Sequence, residues 1–339
     1  MPIRSDPARV LILSNDDATW TADDCAEVQL EVARMQNGLI EQGFQTDVLT
    51  VRHSVTHELG SQPHYPADRW LVFNWCEQYV DRPWTDTEIV SELDALGYTY
   101  TGADADRMRL SMNKGRVRQA LIAAGVPMPI GRLYADDDVD DWLIFPAMVK
   151  PINQHSSFGI SRASLVESPA ELKRQVQWVL DEFKEAALVE EFIDGREIHV
   201  ALIGNREVAM LPPLEVDYSL FGSMRDRIYT NEAKFDKSAA PYYLTKFLCP
   251  APLDAATEAQ VAAAAAVAYR VGGCRDYGRV DLRLRHGQPV VLDVNPNADL
   301  SFESDHAIAS KMFGWTYGQL ATRIVECALE RWPARGGSL

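Results

Sequence analysis

The chain is short of basic charge. Its 339 residues include 49 acidic against 33 basic side chains, a formal net charge of −16. Binding a phosphate backbone needs clustered Lys and Arg, and anionic membrane surfaces attract basic segments. The composition therefore argues against nucleic acid and membrane as partners, while a single nucleotide, needing only a few local cations, stays open. Cysteine is scarce too. The five, Cys25, Cys76, Cys249, Cys274 and Cys327, are odd in number and form no C-x-x-C pair, so free thiols in a reducing compartment are expected. Long apolar runs are missing. The Ala-rich uncharged stretch 259–269 is about half of the ~20 residues that span a bilayer. Residues 1–13 lack the apolar core of a signal peptide. A cytoplasmic protein is expected. No G-x-x-x-x-G-K-[ST] and no H-E-x-x-H occurs, which removes the P-loop and the helical zinc-protease site.

What is present reads as alternating strands and helices. Val10–Leu13, 47–51 and Trp70–Phe73 are short apolar strands, and Tyr98–Tyr100 reads as a fourth. Val28, Val32, Met35 and Leu39 line one helix face before Gly43. Thr85-x-x-Glu88 reads as a capping box. Residues 1–105 are therefore expected to form an open, mostly parallel α/β domain. Beyond it, a helix over 113–124, a strand at 147–151, a helix opened by Ser168-Pro169-x-Glu171 and a strand at 187–192 suggest a small α+β module. Two hairpins follow, 197–211 and 279–294, with an Ala-rich helix at 255–270 and a last helix from Thr316.

The second hairpin carries the strongest chemical signal. Strand side chains alternate between faces. Val280, Leu282, Leu292 and Val294 are expected to point into a core, and Arg279, Asp281, Asp293 and Asn295 to share the opposite face. Two carboxylates and an amide oxygen on one face suit a hard cation such as Mg²⁺. Lys150 on a strand, followed by the hydroxyl-bearing loop 153–159 with Ser156 and Ser157, can hold polyphosphate. Strand Val189–Phe192, turning at Gly195 toward Glu197, can offer backbone groups to a base and a carboxylate to a ribose. Lys114 is a further phosphate cation, and Lys234 lies in a polar segment with the composition of a lid. Glu77, with Asp16 and Asp17, is a candidate for a substrate ammonium at strand ends, where open α/β sheets bind ligands. Ser304 is a candidate for a substrate carboxylate.

In order, these pieces resemble the ATP-grasp superfamily and, within it, the D-alanine–D-alanine ligase family. The matching stretches are Tyr100-Thr101-Gly102 with Lys114; Val149-Lys150-Pro151 with Ser156-Ser157-x-Gly159; Glu190-Glu191-Phe192 with Gly195-x-Glu197; Glu232-Ala233-Lys234; and Gly278-Arg279-x-Asp281 with Asp293-x-Asn295. The resemblance implies an α/β (α+β) ATP-grasp fold: an N-terminal domain over 1–105, a small lid subdomain over 106–188 and a catalytic subdomain over 189–339. It also implies roles. Lys114, Lys150 and Ser157 would contact ATP phosphates, with Ser156 and Arg279 catalytic. Glu190, Glu191 and Ile193 would read adenine, and Glu197 the ribose. Lys234 would meet the γ-phosphate. Asp281, Asp293 and Asn295 would hold two Mg²⁺ ions, or Mn²⁺. The implied reaction joins a carboxylate to an amine through an acyl phosphate, and the implied assembly is a homodimer.

The substrate segments depart from the family. The first strand runs into Ser14-Asn15-Asp16-Asp17 rather than a glycine-rich turn. After Asn295 stands Pro296-Asn297-Ala298-Asp299-Leu300-Ser301 rather than a Pro-Gly-Met-Thr-type segment, so Asp299 faces the acceptor position. His155 replaces a loop glycine and Phe235 a tyrosine. The expectation is a ligase acting on amino-acid or amine substrates other than two D-alanines, in a specialised biosynthetic role. A genuine D-alanine–D-alanine ligase, a ring-closing amide synthase and a phosphotransferase remain as alternatives.

Overall fold

The computed structural model describes residues 9–17, 19–80, 82–155 and 157–332. Ser156 lies outside them. In the N-terminal unit, strands β1 (Arg9–Asn15), β2 (Gln45–Val51) and β3 (Trp70–Trp75) form a parallel sheet in the order β2-β1-β3. The apolar run of β1 is continuous because both faces are covered. Val10 and Ile12 join one core, with Met35 and Leu39 of helix α1 (Ala22–Glu41); Leu11 and Leu13 join another. That second core takes in α2 (Val55–Gly60) and α3 (Asp86–Ala95). Two expectations are corrected here. Residues 98–100 touch the sheet through a single bridge, Val72 to Tyr100, because the chain turns away at Gly102 to meet the C-terminal unit. Thr85 makes no side-chain cap: its hydroxyl accepts from the Tyr79 N–H and donates to the Arg82 carbonyl instead.

Helices α4 (Ala105–Ser111) and α5 (Lys114–Ala123) lead to the small sheet, whose antiparallel order is β4-β7-β5-β6. Its strands are β4 (Gly131–Tyr134), β5 (Ala147–Pro151), β6 (Leu165–Val166) and β7 (Ala187–Glu191), covered by α6 (Pro169–Phe183). The Ser168 cap and Pro169 start of α6 stand as expected. The small sheet spans 131–191. Val117 and Leu121 of α5 pack into the C-terminal core with Val200 and Val280, so this helix is physically part of the larger unit.

The large sheet runs β11-β10-β8-β12-β13, with β9 beside β8. Its strands are β8 (Glu197–Gly204), β9 (Val208–Met210), β10 (Leu214–Asp217), β11 (Lys246–Leu248), β12 (Tyr277–Arg285) and β13 (Gln288–Asn295). Short helices α7 (Asn231–Phe235) and α8 (Ala240–Leu244) lie between β10 and β11. Ala-rich α9 (Ala255–Val271) covers one face of the sheet. Helices α10 (Asp305–Phe313) and α11 (Tyr317–Leu329) cover the other, and there Ala201, Ile203 and Ile324 share a core with β1 and α1. The N-terminal and C-terminal units are thus joined through one continuous core. The helix contact is close: a Cβ on Gly38 would lie 2.9 Å from the Gly318 Cα, which only a glycine pair permits.

Candidate active site

The polar hairpin forms as expected and floors a cleft of about 1690 Å³ between the small and large sheets. Register pairs Arg279 with Asn295 and Asp281 with Asp293, and all four side chains line the cleft. One expectation fails. A bulge after Asp281 pairs Leu282 with Val291, so Val291 takes the core position and Leu292 turns into the cleft. A bulge re-aims the side chain next to it, and here it lays an apolar surface beside the polar floor.

Arg279 grips Asp281 with two parallel bonds, Nε to Oδ1 at 2.6 Å and Nη2 to Oδ2 at 2.9 Å. Its Nη1 reaches Asp305 Oδ2 at 3.1 Å. Asn295 Nδ2 also donates to Asp281, at 3.1 Å. Burial would raise the Asp281 carboxyl, but Arg279 and His199 hold it below the ordinary range, so it is ionised. Asp293 bonds only its neighbour's N–H, Val294, at 3.0 Å among the described partners. Two carboxylates and an amide fit a hard cation, and the small number of protein ligands leaves positions for phosphate oxygens and water, as Mg²⁺ prefers.

Three lysines face this floor: Lys114 at the start of α5, Lys150 on β5 and Lys234 on α7. Lys150 is fixed by Glu190, which is buried on the neighbouring strand and also binds Arg118. Burial would lower the Lys150 ammonium, but Glu190 outweighs it and raises it. The Glu190 carboxylate is therefore held between two cations. Glu191 is also engaged, accepting from the Ile130 N–H at 2.8 Å and from Arg285. The Ile193 carbonyl accepts from Arg283. Lys114 bonds the Gln154 carbonyl, and burial together with Lys150 depresses its ammonium. Lys234 sits 4.9 Å over the Tyr229 ring, and burial and Arg279 lower its ammonium as well. Ser157 Oγ donates to the Tyr229 carbonyl at 3.0 Å, tying the loop to the segment before Lys234.

Glu197 is the hub of a buried network. Arg283 lies directly across the ladder and donates at 2.8 and 3.0 Å; Tyr218 donates at 3.1 Å and His199 Nε2 lies at 3.2 Å. Burial would raise the Glu197 carboxyl, but Arg283 and His199 hold it far below its usual value. His199 bridges onward to Asp305 at 2.8 Å. Burial would lower its imidazole, but Asp281 and Asp305 push it up to about 9.

The candidate substrate residues divide. Asp16 pairs with Arg52, and Asp17 bonds Thr19 and Gln78, so both are used within the N-terminal unit. Asp299 lines the cleft, its carboxylate capping Ser301 at 2.8 Å. Ser304 is the N-cap of α10 and also borders the cleft. Glu77 follows β3, its N–H donating to Asn15. It is exposed to solvent and is not among the residues lining the cleft. Desolvation, with Asp299 and Asp86, pushes its carboxyl up to about 7.

Comparison with known proteins gives the same picture. A family model described as the D-ala D-ala ligase C-terminus matches residues 133–326, more than half of the chain. A protein named D-alanine–D-alanine ligase in Alcanivorax borkumensis is 32% identical over 247 residues, 73% of this chain and 74% of that protein. The chain belongs to the D-alanine–D-alanine ligase family. It is thus an ATP-grasp ligase of the ADP-forming, carbon–nitrogen class. An uncharacterized relative in Sinorhizobium fredii, y4sG, is 34% identical over 78% of this chain and 76% of its own length. The crystal structure of the Bacillus anthracis D-alanine–D-alanine ligase complexed with ATP superposes with a TM-score of 0.70 at 17% identity, covering 95% of this chain and 98% of the other.

Within this family member, sequence reasoning missed His199, Asp305, Arg283, Arg118 and Leu292. Part of the signal was there. Arg283 continues the alternation Arg279, Asp281, Arg283, and His199 shares a face with Glu197. Nothing in the sequence linked Asp305 or Arg118 to this cleft.

Proposed function

We propose that this family member joins a carboxylate to an amine at the cleft floored by Arg279, Asp281, Asp293 and Asn295, with ATP and Mg²⁺. The observation that carries this reading is three lysines and the paired carboxylates of Asp281 and Asp293 converging on one cleft. Phosphoryl transfer needs positioning and charge neutralisation. Lys114, Lys150 and Lys234 would neutralise the triphosphate, and Asp281, Asp293 and Asn295 would hold the metal ion, which would supply further charge neutralisation. A substrate carboxylate oxygen attacks the γ-phosphorus and ADP leaves. An amine, having lost a proton, then attacks the acyl carbon, and phosphate leaves as the amide forms. Arg279 would stabilise the oxyanion between those steps, and the segment bearing Lys234 would shield the acyl phosphate from water. Ser157 would add a contact to the phosphates, Leu292 and the backbone at Glu191 and Ile193 would frame the base, and Glu197 would meet the ribose.

We further read the substrates as other than two D-alanines. The cleft lining also includes Trp20, Phe247, Ile308 and Trp315, apolar groups suited to a side chain larger than methyl. Glu77 would hold a substrate ammonium. The test is phosphate release from ATP and Mg²⁺ across D- and L-amino acids, alone and in pairs, with mass spectrometry of the products. Turnover with a bulky amino acid and not with D-alanine supports the reading. D-Alanyl-D-alanine from D-alanine alone refutes the substrate part and keeps the ligase. A stable phosphorylated product refutes amide formation.

A further inference from the structure

We propose that Asp305, oriented by His199, is the positioning residue that keeps Arg279 in place when a metal ion takes Asp281. This rests on reading Asp281 as a metal ligand. Arg279 Nε and Nη2 occupy both oxygens of Asp281, at 2.6 and 2.9 Å. A divalent cation on that carboxylate competes with these bonds for the oxygen lone pairs, and it repels the guanidinium beside it. Arg279 then needs a second anchor. Among the described residues its other carboxylate contact is Asp305, at 3.1 Å through Nη1, the nitrogen that does not touch Asp281.

Asp305 is built for this. It is the first residue of α10, buried, and its backbone is fixed behind the Ser304 cap. The same Oδ2 that meets Arg279 meets His199 Nδ1 at 2.8 Å, and His199 Nε2 rests on Glu197 Oε1 at 3.2 Å. Glu197 is held in turn by Arg283 at 2.8 Å. The chain Arg283–Glu197–His199–Asp305–Arg279 therefore runs from one end of the cleft to the metal carboxylates without entering the metal's own donor set. With Asp305 neutralised, Arg279 keeps a single carboxylate and competes with the metal for Asp281.

The test is a double-mutant cycle read by Mn²⁺ binding, followed by electron paramagnetic resonance on the full-length protein without turnover. Asp305→Asn is expected to weaken Mn²⁺ binding about tenfold when Arg279 is present, within the coupling measured between contacting charged residues. In the Arg279→Met background the same substitution is expected to change it by about twofold or less. His199→Ala, which frees Asp305 without altering it, is expected to weaken binding in the same direction, and His199→Gln, which keeps a donor, to recover part of the loss. In turnover assays Asp305→Asn is expected to lower kcat while leaving KM for ATP near its original value. If the effects of Asp305→Asn and Arg279→Met simply add, the anchor is refuted and the reading of the hairpin stands. If the unaltered protein binds no Mn²⁺ at all, that reading falls and the anchor with it. Thermal melting of each variant checks folding, and should Asp305→Asn fail to fold, the His199→Gln and Arg279→Met pair completes the cycle.

Discussion

Glu190 separates two accounts of the nucleotide end of the cleft. Its side chain is 3% exposed and lies between Lys150 Nζ at 2.9 Å and Arg118 Nη1 at 3.0 Å. Glu190→Gln keeps the shape and one acceptor oxygen but aims an amide N–H₂ at a cation. Removing one member of a buried ion pair costs about 3–5 kcal/mol, because the remaining charge is left without a partner. The surviving acceptor and the partial exposure of Lys150 and Arg118, 14% and 12%, bring the expected cost to about 2–4 kcal/mol. The ATP-free protein should therefore melt roughly 5 °C lower or more, and KM for ATP should rise about tenfold as Lys150 loses its anchor. The assays are calorimetric melting without nucleotide and initial rates across ATP concentrations. If Glu190 instead reads the base, melting stays put and the preference for ATP over GTP collapses. An unchanged melting temperature would refute the anchoring argument.

Two further outcomes follow from local geometry. Desolvation, Asp299 and Asp86 push the Glu77 carboxyl up to about 7, and an ammonium needs its ionised form. kcat/KM for the amine-bearing substrate should therefore climb about tenfold per pH unit below 7 and level off above it, and Glu77→Gln should flatten that limb; an identical profile in the variant would dismiss Glu77 from the site. Gly195→Ala would place a Cβ 2.1 Å from the Leu284 carbonyl oxygen, displacing the turn between Ile193 and Glu197. A loss of about 1–3 kcal/mol and weaker ATP binding are expected, whereas Gly222→Ala, with open space around it, should stay within about 0.5 kcal/mol; equal melting of the two would contradict the packing described.

Much of this protein was legible locally. The alternation in Arg279-Val280-Asp281 and Asp293-Val294-Asn295 placed four polar groups on one face, because strand periodicity is a property of the backbone itself. The Ser168-Pro169 start of α6 and the three-strand parallel sheet were readable for the same reason: caps and buried runs act over a few residues. What depended on distant chain was not. The Leu292 bulge depends on how β13 registers against β12. The allegiance of α5 to the large sheet is a matter of which core its apolar stripe meets. The partners of Glu190 and Glu197 emerged only once the fold brought Arg118, Arg283 and His199 into reach. By itself the sequence determined which chemical groups this ligase owns and which strand faces carry them. Tertiary structure decided which carboxylates are free and which are already bound, because a buried charge takes its partner from whatever the fold brings within about 3 Å.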